Sequence, residues 1–170
     1  MLHQVEETPE TKWENLAKTT IGPYHLTVKE NGCIIFVSAI EGHLIVTSKH
    51  ALGQSSINLG SNSVSHSEMG EIWLDRHLKR SGAAREELVG FLSSNNVTAA
   101  FELVDDEFEE HIIPYPIESR GLYLHGINKN ETDFQTWDNE RLVEFAGKFG
   151  FFVVESITKD SISGTNPLLS

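Results

Sequence analysis

Apolar residues recur at two spacings along this chain, and the changes of spacing mark its elements. Tyr24 to Val28 reads as a short strand and Cys33 to Ile40 as a second. His43 to Ser48 reads as a third, with Leu44 and Val46 on one face and Ile45 on the other. Asn31-Gly32 and Glu41-Gly42 lie between these runs. Asn-Gly between apolar runs signals a β-hairpin, because a type I′ turn needs φ > 0 at both central residues. Residues 24–50 therefore predict a three-stranded antiparallel meander.

Gln54 to Val64 is rich in Ser, Asn and Gly and predicts a loop. Ser65 and Glu68 then have the spacing of a capping box, and Met69, Ile72, Trp73 and His77 follow at helical spacing. Ser81-Gly82 interrupts. Leu88, Phe91 and Leu92 share one face of a second helix, closed by Asn95-Asn96. Val97 to Val104 predicts a buried strand with a single carboxylate, Glu102. The acidic run Asp105 to Glu110 leads to His111, a short strand at Ile112-Ile113, and Pro114 and Pro116. Leu122 to Ile127 predicts a strand containing His125. Leu142, Phe145, Ala146 and Phe149 stand at i, i+3, i+4, i+7, an amphipathic helix with Gly150 at its C-cap. Phe151 to Val154 is the last predicted strand. Residues 1–22 predict a lead-in with little regular structure, and 158–170 an irregular tail. The body, residues 23–157, has no repeated βαβ alternation. That predicts an α+β fold with antiparallel or mixed sheets and inserted helices.

Composition narrows the function classes. A hydrophobic fraction of 39% supports a core, and 22% charged residues fit an ordinary globular domain. No apolar run reaches membrane-span length, and no secretory leader or other address is visible. The one cysteine, Cys33, excludes an internal disulfide and a Cys-rich zinc site. A reducing compartment, nucleus or cytoplasm, is expected. The net charge of −12, from 13 Lys+Arg against 25 Asp+Glu, weighs against broad binding of phosphate backbones. It is compatible with a carboxylate pocket holding Mg²⁺.

A few side chains carry chemistry. Lys29 sits at the lip of an apolar strand, next to Glu30 and before Asn31-Gly32; it reads either as a presented amine or as an exposed turn lysine. Glu102 lies among apolar neighbours. Such a carboxylate is costly unless paired, hydrogen-bonded or bound to a cation, and the other reading points it to solvent. Ser48-Lys49-His50 ends the third strand, as a phosphate contact or as a strand end in water. Acidic runs such as 105–110 are more often solvated loops or helix starts than metal sites. His111 and His125 are lone histidines, more often structural than ligating.

Taken together these stretches resemble a known family. Lys29-Glu30-Asn31-Gly32 is similar to the Lys-x-Asn/Asp-Gly motif of covalent nucleotidyltransferases. Residues 29–36, 48–50, 101–111 and 121–128 resemble the adenylyltransferase domain of fungal tRNA ligases, in order over roughly residues 5–157. The resemblance implies a nucleotidyltransferase, ATP-dependent-ligase-like fold. It implies that Lys29 attacks the α-phosphate of ATP to give lysyl-AMP, and that AMP then activates an RNA 5′-phosphate for sealing by a 3′-end. The implied partners are tRNA exon halves in tRNA splicing, with no DNA and no membrane. Glu30, Asn31, Gly32, Ser48, Lys49, His50, Glu102 and His125 are the implied nucleotide-binding residues. Glu102 is also the implied ligand of Mg²⁺.

The chain departs from that family at its end. It contains no Glu-Gly-aromatic-Val motif and no Lys-x-Lys, and Ser161 to Ser170 do not resemble the family. The resemblance therefore implies a C-terminally incomplete domain. The alternative expectation is a non-catalytic remnant that at most binds nucleotide or RNA.

Overall fold

A computed structural model describes residues 9–49, 64–108 and 114–161. The chain falls into two compact units, divided between Lys29 and Glu30 and again between Val154 and Glu155.

The first unit holds a 3₁₀ turn at Pro9–Thr11, helix α1 (Trp13–Thr19), strand β1 (Tyr24–Thr27) and, from the far end of the chain, a strand at Ser156–Lys159. That late strand is the antiparallel partner of β1, from Tyr24 opposite Lys159 to Thr27 opposite Ser156. The Val28 N–H extends the pairing by donating to Glu155 O at 2.9 Å. Two expectations are corrected here. Residues 1–22 do contain regular structure, but α1 has 7 residues and no side-chain N-cap, too short for a helical period to register. The meander over 24–50 loses its first strand, because β1 pairs with a segment remote in sequence. Neither Asn31 nor Gly32 has the positive φ that a type I′ turn requires.

The second unit is a five-stranded sheet covered on one face by helices. Its elements are β2 (Cys33–Ile40), β3 (His43–Ser48), α2 (His66–Ser81), α3 (Arg85–Asn95), β4 (Val97–Val104), β5 (Gly121–Lys129), α4 (Asn139–Phe149) and β6 (Phe152–Val153); the strand at 156–159 is β7. The strand order is β3-β2-β4-β5-β6, antiparallel except for the β5–β6 pair. This is the expected α+β arrangement with a mixed sheet. The two-residue turn between β2 and β3 has φ of 49° at Glu41 and 79° at Gly42, so the hairpin signal fits that turn and not Asn31-Gly32.

Local rules account for the helices. Ser65 Oγ accepts the Glu68 N–H while Glu68 Oε2 accepts the Ser65 N–H, a complete capping box that opens α2. Gly82, Asn96 and Gly150 close α2, α3 and α4 in the left-handed conformation. Leu74 and Leu78 of α2, Leu88 and Leu92 of α3, and Leu142, Phe145, Ala146 and Phe149 of α4 are buried. They meet Ile35, Val37, Ala99, Phe101, Leu103, Leu122, Leu124 and Ile127 of the sheet in one apolar cluster. Each fully buried Leu, Ile or Phe contributes about 1.5–3 kcal/mol relative to exposure.

His77 of α2 is fully buried in this core. The Leu122 N–H donates to its Nε2 at 2.9 Å, so the ring proton sits on Nδ1 and is donated to Gly150 O at 2.7 Å. One imidazole thus ties α2 to the start of β5 and to the end of α4. Burial holds its pKa down to about 4, against the pull of the bond to Gly150, and the Arg80 guanidinium adds to the depression. The start of the acidic run also departs from a solvated loop. Asp105 is buried; its Oδ2 accepts the Trp73 indole N–H at 2.7 Å and its Oδ1 the Glu107 N–H at 3.0 Å. The strand expected at Ile112-Ile113, with His111, lies outside the described residues.

Candidate functional site

The face of the sheet away from the helices carries the polar groups, and β4 sets their order. In β4 the buried positions Ala99, Phe101 and Leu103 alternate with Glu102, which sits opposite Ile34 on β2 and Tyr123 on β5. Cross-strand partners share a face, so Glu102 projects away from the core beside Tyr123. Its side chain is 16% exposed. Of the two readings of this carboxylate, the hydrogen-bonded one holds: Oε1 accepts the backbone N–H of Gly32 at 3.2 Å.

Gly32 is glycine for a reason that hairpin chemistry does not supply. A Cβ there would lie 2.0 Å from Leu103 O and 2.8 Å from Leu103 C. The segment entering β2 runs so close against β4 that no side chain fits, and this contact, not a positive φ, demands the glycine. One residue earlier, the Asn31 N–H donates to the Tyr115 hydroxyl at 3.0 Å, and that hydroxyl donates to Glu30 Oε2 at 3.0 Å. Consecutive N–H groups of the Asn31-Gly32 segment are thus held by side chains from two different parts of the unit. Tyr115 is the site residue that sequence reasoning misses. A contact 84 positions away leaves no local period, and its placement between Pro114 and Pro116 is the one available signal. Burial raises the phenol pKa, and Glu30 and Asp106 nearby raise it further.

His125 reaches this face through an irregularity. The β4–β5 register passes from Ala100 opposite Gly126 to Phe101 opposite Leu124, leaving His125 as the extra residue of a bulge. The bulge lets both Leu124 and Ile127 enter the core, a spacing strict alternation forbids. His125 Nε2 lies 3.7 Å from Glu102 Oε2.

The remaining predicted residues are placed as follows. Lys29 is exposed and immediately precedes Glu30 in the chain. Ser48 pairs with Ile35, which puts it on the helix-covered face, opposite to that of Glu102. Lys49 follows β3 and is exposed. His50 lies outside the described residues. Within the second unit the structure therefore brings together Glu30, Asn31, Gly32, Glu102 and His125, adds Tyr115, and does not bring Ser48 to them. Among the described residues, no group of three or more His, Cys, Asp or Glu side chains is arranged to hold a metal ion. Glu102 offers hard carboxylate oxygen, the donor type that Mg²⁺ takes in ones or twos alongside substrate phosphates.

This fold is shared with RNA ligases of known structure. It superposes on Naegleria gruberi RNA ligase with PPi at a TM-score of 0.62 and 12% identity, covering 88% of this chain and 41% of that one. A lysine-to-alanine mutant of the same enzyme, with ATP and Mn, gives 0.59 and 15% identity, over 92% and 44% of the two chains. The RNA ligase family model matches residues 2–170, and the chain belongs to that family. It is 50% identical over 159 residues to tRNA ligase 1 of Schizosaccharomyces pombe, and 39% identical over 170 residues to tRNA ligase of Candida albicans. These alignments cover 93% and 92% of this chain, which spans about a fifth (20%) of the length of either relative. No helix among the described residues is long and apolar enough to cross a membrane.

Proposed function

We propose that this chain is the adenylylation module of an ATP-dependent RNA ligase, with Lys29 as the AMP acceptor. The carrying observation is the hydrogen bond from the Gly32 N–H to Glu102, which fastens the motif following Lys29 to the central strand of the sheet. Phosphoryl transfer depends on position and charge stabilisation more than on new covalent groups, so a fixed backbone beside the nucleophile is what the reaction needs. In the proposed step the Lys29 amine attacks the α-phosphorus of ATP. An N–P bond forms, the P–O bond to pyrophosphate breaks, pyrophosphate leaves with the electron pair, and the amine loses its proton to solvent. AMP then passes to an RNA 5′-phosphate, and a 3′-hydroxyl displaces it to seal the strand.

Glu30, Asn31, Gly32, Glu102 and His125 form the proposed nucleotide-binding face, with Lys49 and His50 as proposed phosphate contacts. A Mg²⁺ ion would be held by the nucleotide phosphates and Glu102, and when bound it neutralises phosphate charge. Relatives named tRNA ligase support tRNA halves as the RNA substrate.

Intact-mass measurement after incubation with ATP and Mg²⁺ tests the reading. The expected result is one AMP per chain, absent in Lys29→Ala. No adduct on the 170-residue chain, and none once a relative's segment bearing Glu-Gly-Phe-Val and Lys-x-Lys is appended, would overturn it in favour of a non-catalytic remnant.

A further inference from the structure

We infer that Tyr115 is a positioning residue for adenylylation, acting through the backbone directly after Lys29; the inference rests on Lys29 being the AMP acceptor. Its hydroxyl does two things at once, accepting the Asn31 N–H and donating to Glu30 Oε2, both at 3.0 Å. A single atom therefore joins the side chain of one motif residue to the main chain of the next. Rotation of the peptide between Glu30 and Asn31 breaks at least one of these bonds. Glu102 holds the following N–H, so the peptide planes on both sides of Asn31 are fixed by two anchors with different origins.

The anchor is itself anchored. Asp106 Oδ2 accepts the Tyr115 N–H, and Arg120 Nε donates to Tyr115 O at 3.2 Å. Arg120 also pairs with Glu107 at 2.9 Å and lies 3.8 Å from Asp106, with its side chain 15% exposed. The two polar ends of the Tyr115 main chain are thus gripped by Asp106, just after β4, and by Arg120, just before β5. Pro114 and Pro116 on either side restrict the backbone further, which lowers the entropy lost in holding the ring in place. These contacts have the form of a support for a reactive segment. Tyr123, by contrast, donates its hydroxyl to Ser119 O at 2.6 Å, outside the motif. It is the matched control, a second phenol near Glu102 whose hydrogen bond leads elsewhere.

The test compares Tyr115→Phe with Tyr123→Phe in the full chain. Phe keeps the ring and its packing, so both variants are expected to melt within a few degrees of wild type. Single-turnover formation of lysyl-AMP in Tyr115→Phe is expected to fall about 10- to 100-fold at saturating ATP, with half-saturation by ATP little changed. Hydrogen exchange at the Asn31 amide is expected to speed up about tenfold, an effect that does not require adenylylation. Tyr123→Phe is expected to change neither. Wild-type adduct formation with an unslowed Tyr115→Phe, or unchanged exchange at Asn31, overturns the positioning role alone. A wild-type chain that forms no adduct, either alone or with the relative's C-terminal segment appended, overturns the Lys29 assignment, and the positioning role falls with it.

Discussion

Two polar clusters in the second unit use hydrogen bonds in opposite ways. Around His77 both ring nitrogens are engaged by main chain, the ring is fully buried, and Gly121 packs against it. Around Glu102 one oxygen holds a backbone N–H, the other lies 3.7 Å from His125, and the side chain stays 16% exposed. The first arrangement closes a gap between three elements. The second fixes a segment at a partly exposed surface. Both contain a histidine, and residue type alone does not separate them; saturation and burial do.

The largest expected effect comes from the segment that the second cluster fastens. Gly32→Ala places a methyl carbon against the Leu103 carbonyl, main chain that cannot swing aside. A loss of about 4 kcal/mol or more in unfolding free energy is expected, with loss of lysyl-AMP formation. Denaturant melts and intact mass read the two outcomes together, and a variant of unchanged stability would refute the close-approach explanation.

His77→Leu is expected to cost about 2 kcal/mol, since it orphans the Leu122 N–H inside the core and leaves Gly150 O with Arg80 Nη2 as its donor. Adenylylation per folded molecule should be unchanged, which separates this cluster from the site. The same residue predicts a pH dependence. The folded ring resists protonation down to about pH 4, whereas the unfolded ring titrates near its ordinary 6.5. Between these values the unfolded chain binds more protons. The contribution is whole above about pH 6.5, falls by about 1.4 kcal/mol per pH unit on acidification, and levels off below about 4. Subtracting the His77→Leu curve from wild type should isolate that slope; parallel curves would remove the buried neutral imidazole from the account.

Glu102→Ala reverses the pattern. It removes the acceptor for the Gly32 N–H and the contact with His125 at a half-buried position, so stability should change by about 1 kcal/mol. Lysyl-AMP formation should fall about 100-fold, on the scale of losing one preorganised electrostatic partner. A quench-flow or slow-mixing mass assay against a thermal melt measures both, and a stability loss as large as that of His77→Leu would erase the distinction between the clusters.

What can be read from the chain follows from where each interaction reaches. The capping box at Ser65 and Glu68 and the four-point stripe of α4 are complete within a few residues, and both stand in the structure as expected. Val97 to Val104 has the predicted bounds because its apolar run ends on a left-handed Asn96 and on Asp105. The failures are long-range. The partner of β1 lies at 156–159, and hairpin chemistry, a local rule, assigns it instead to the neighbouring strand. The site divides the same way. Its lysine motif and Glu102 are legible, the first by resemblance and the second as a lone charge in an apolar run. Tyr115 is not, because a phenol reaching back to main chain leaves no trace in spacing. Nor is the bulge at His125 read directly, although Leu122, Leu124 and Ile127 at uneven intervals around Gly126 are the mark of one.

The tip between β2 and β3 offers a practical handle. Nothing lies within 4 Å of a side chain built at Gly42, and both tip residues are exposed. A biotinylation peptide grafted there would tether the protein to a sensor chip by the end of β2 opposite to Asn31-Gly32, so nucleotide capture could be followed on an immobilised sample.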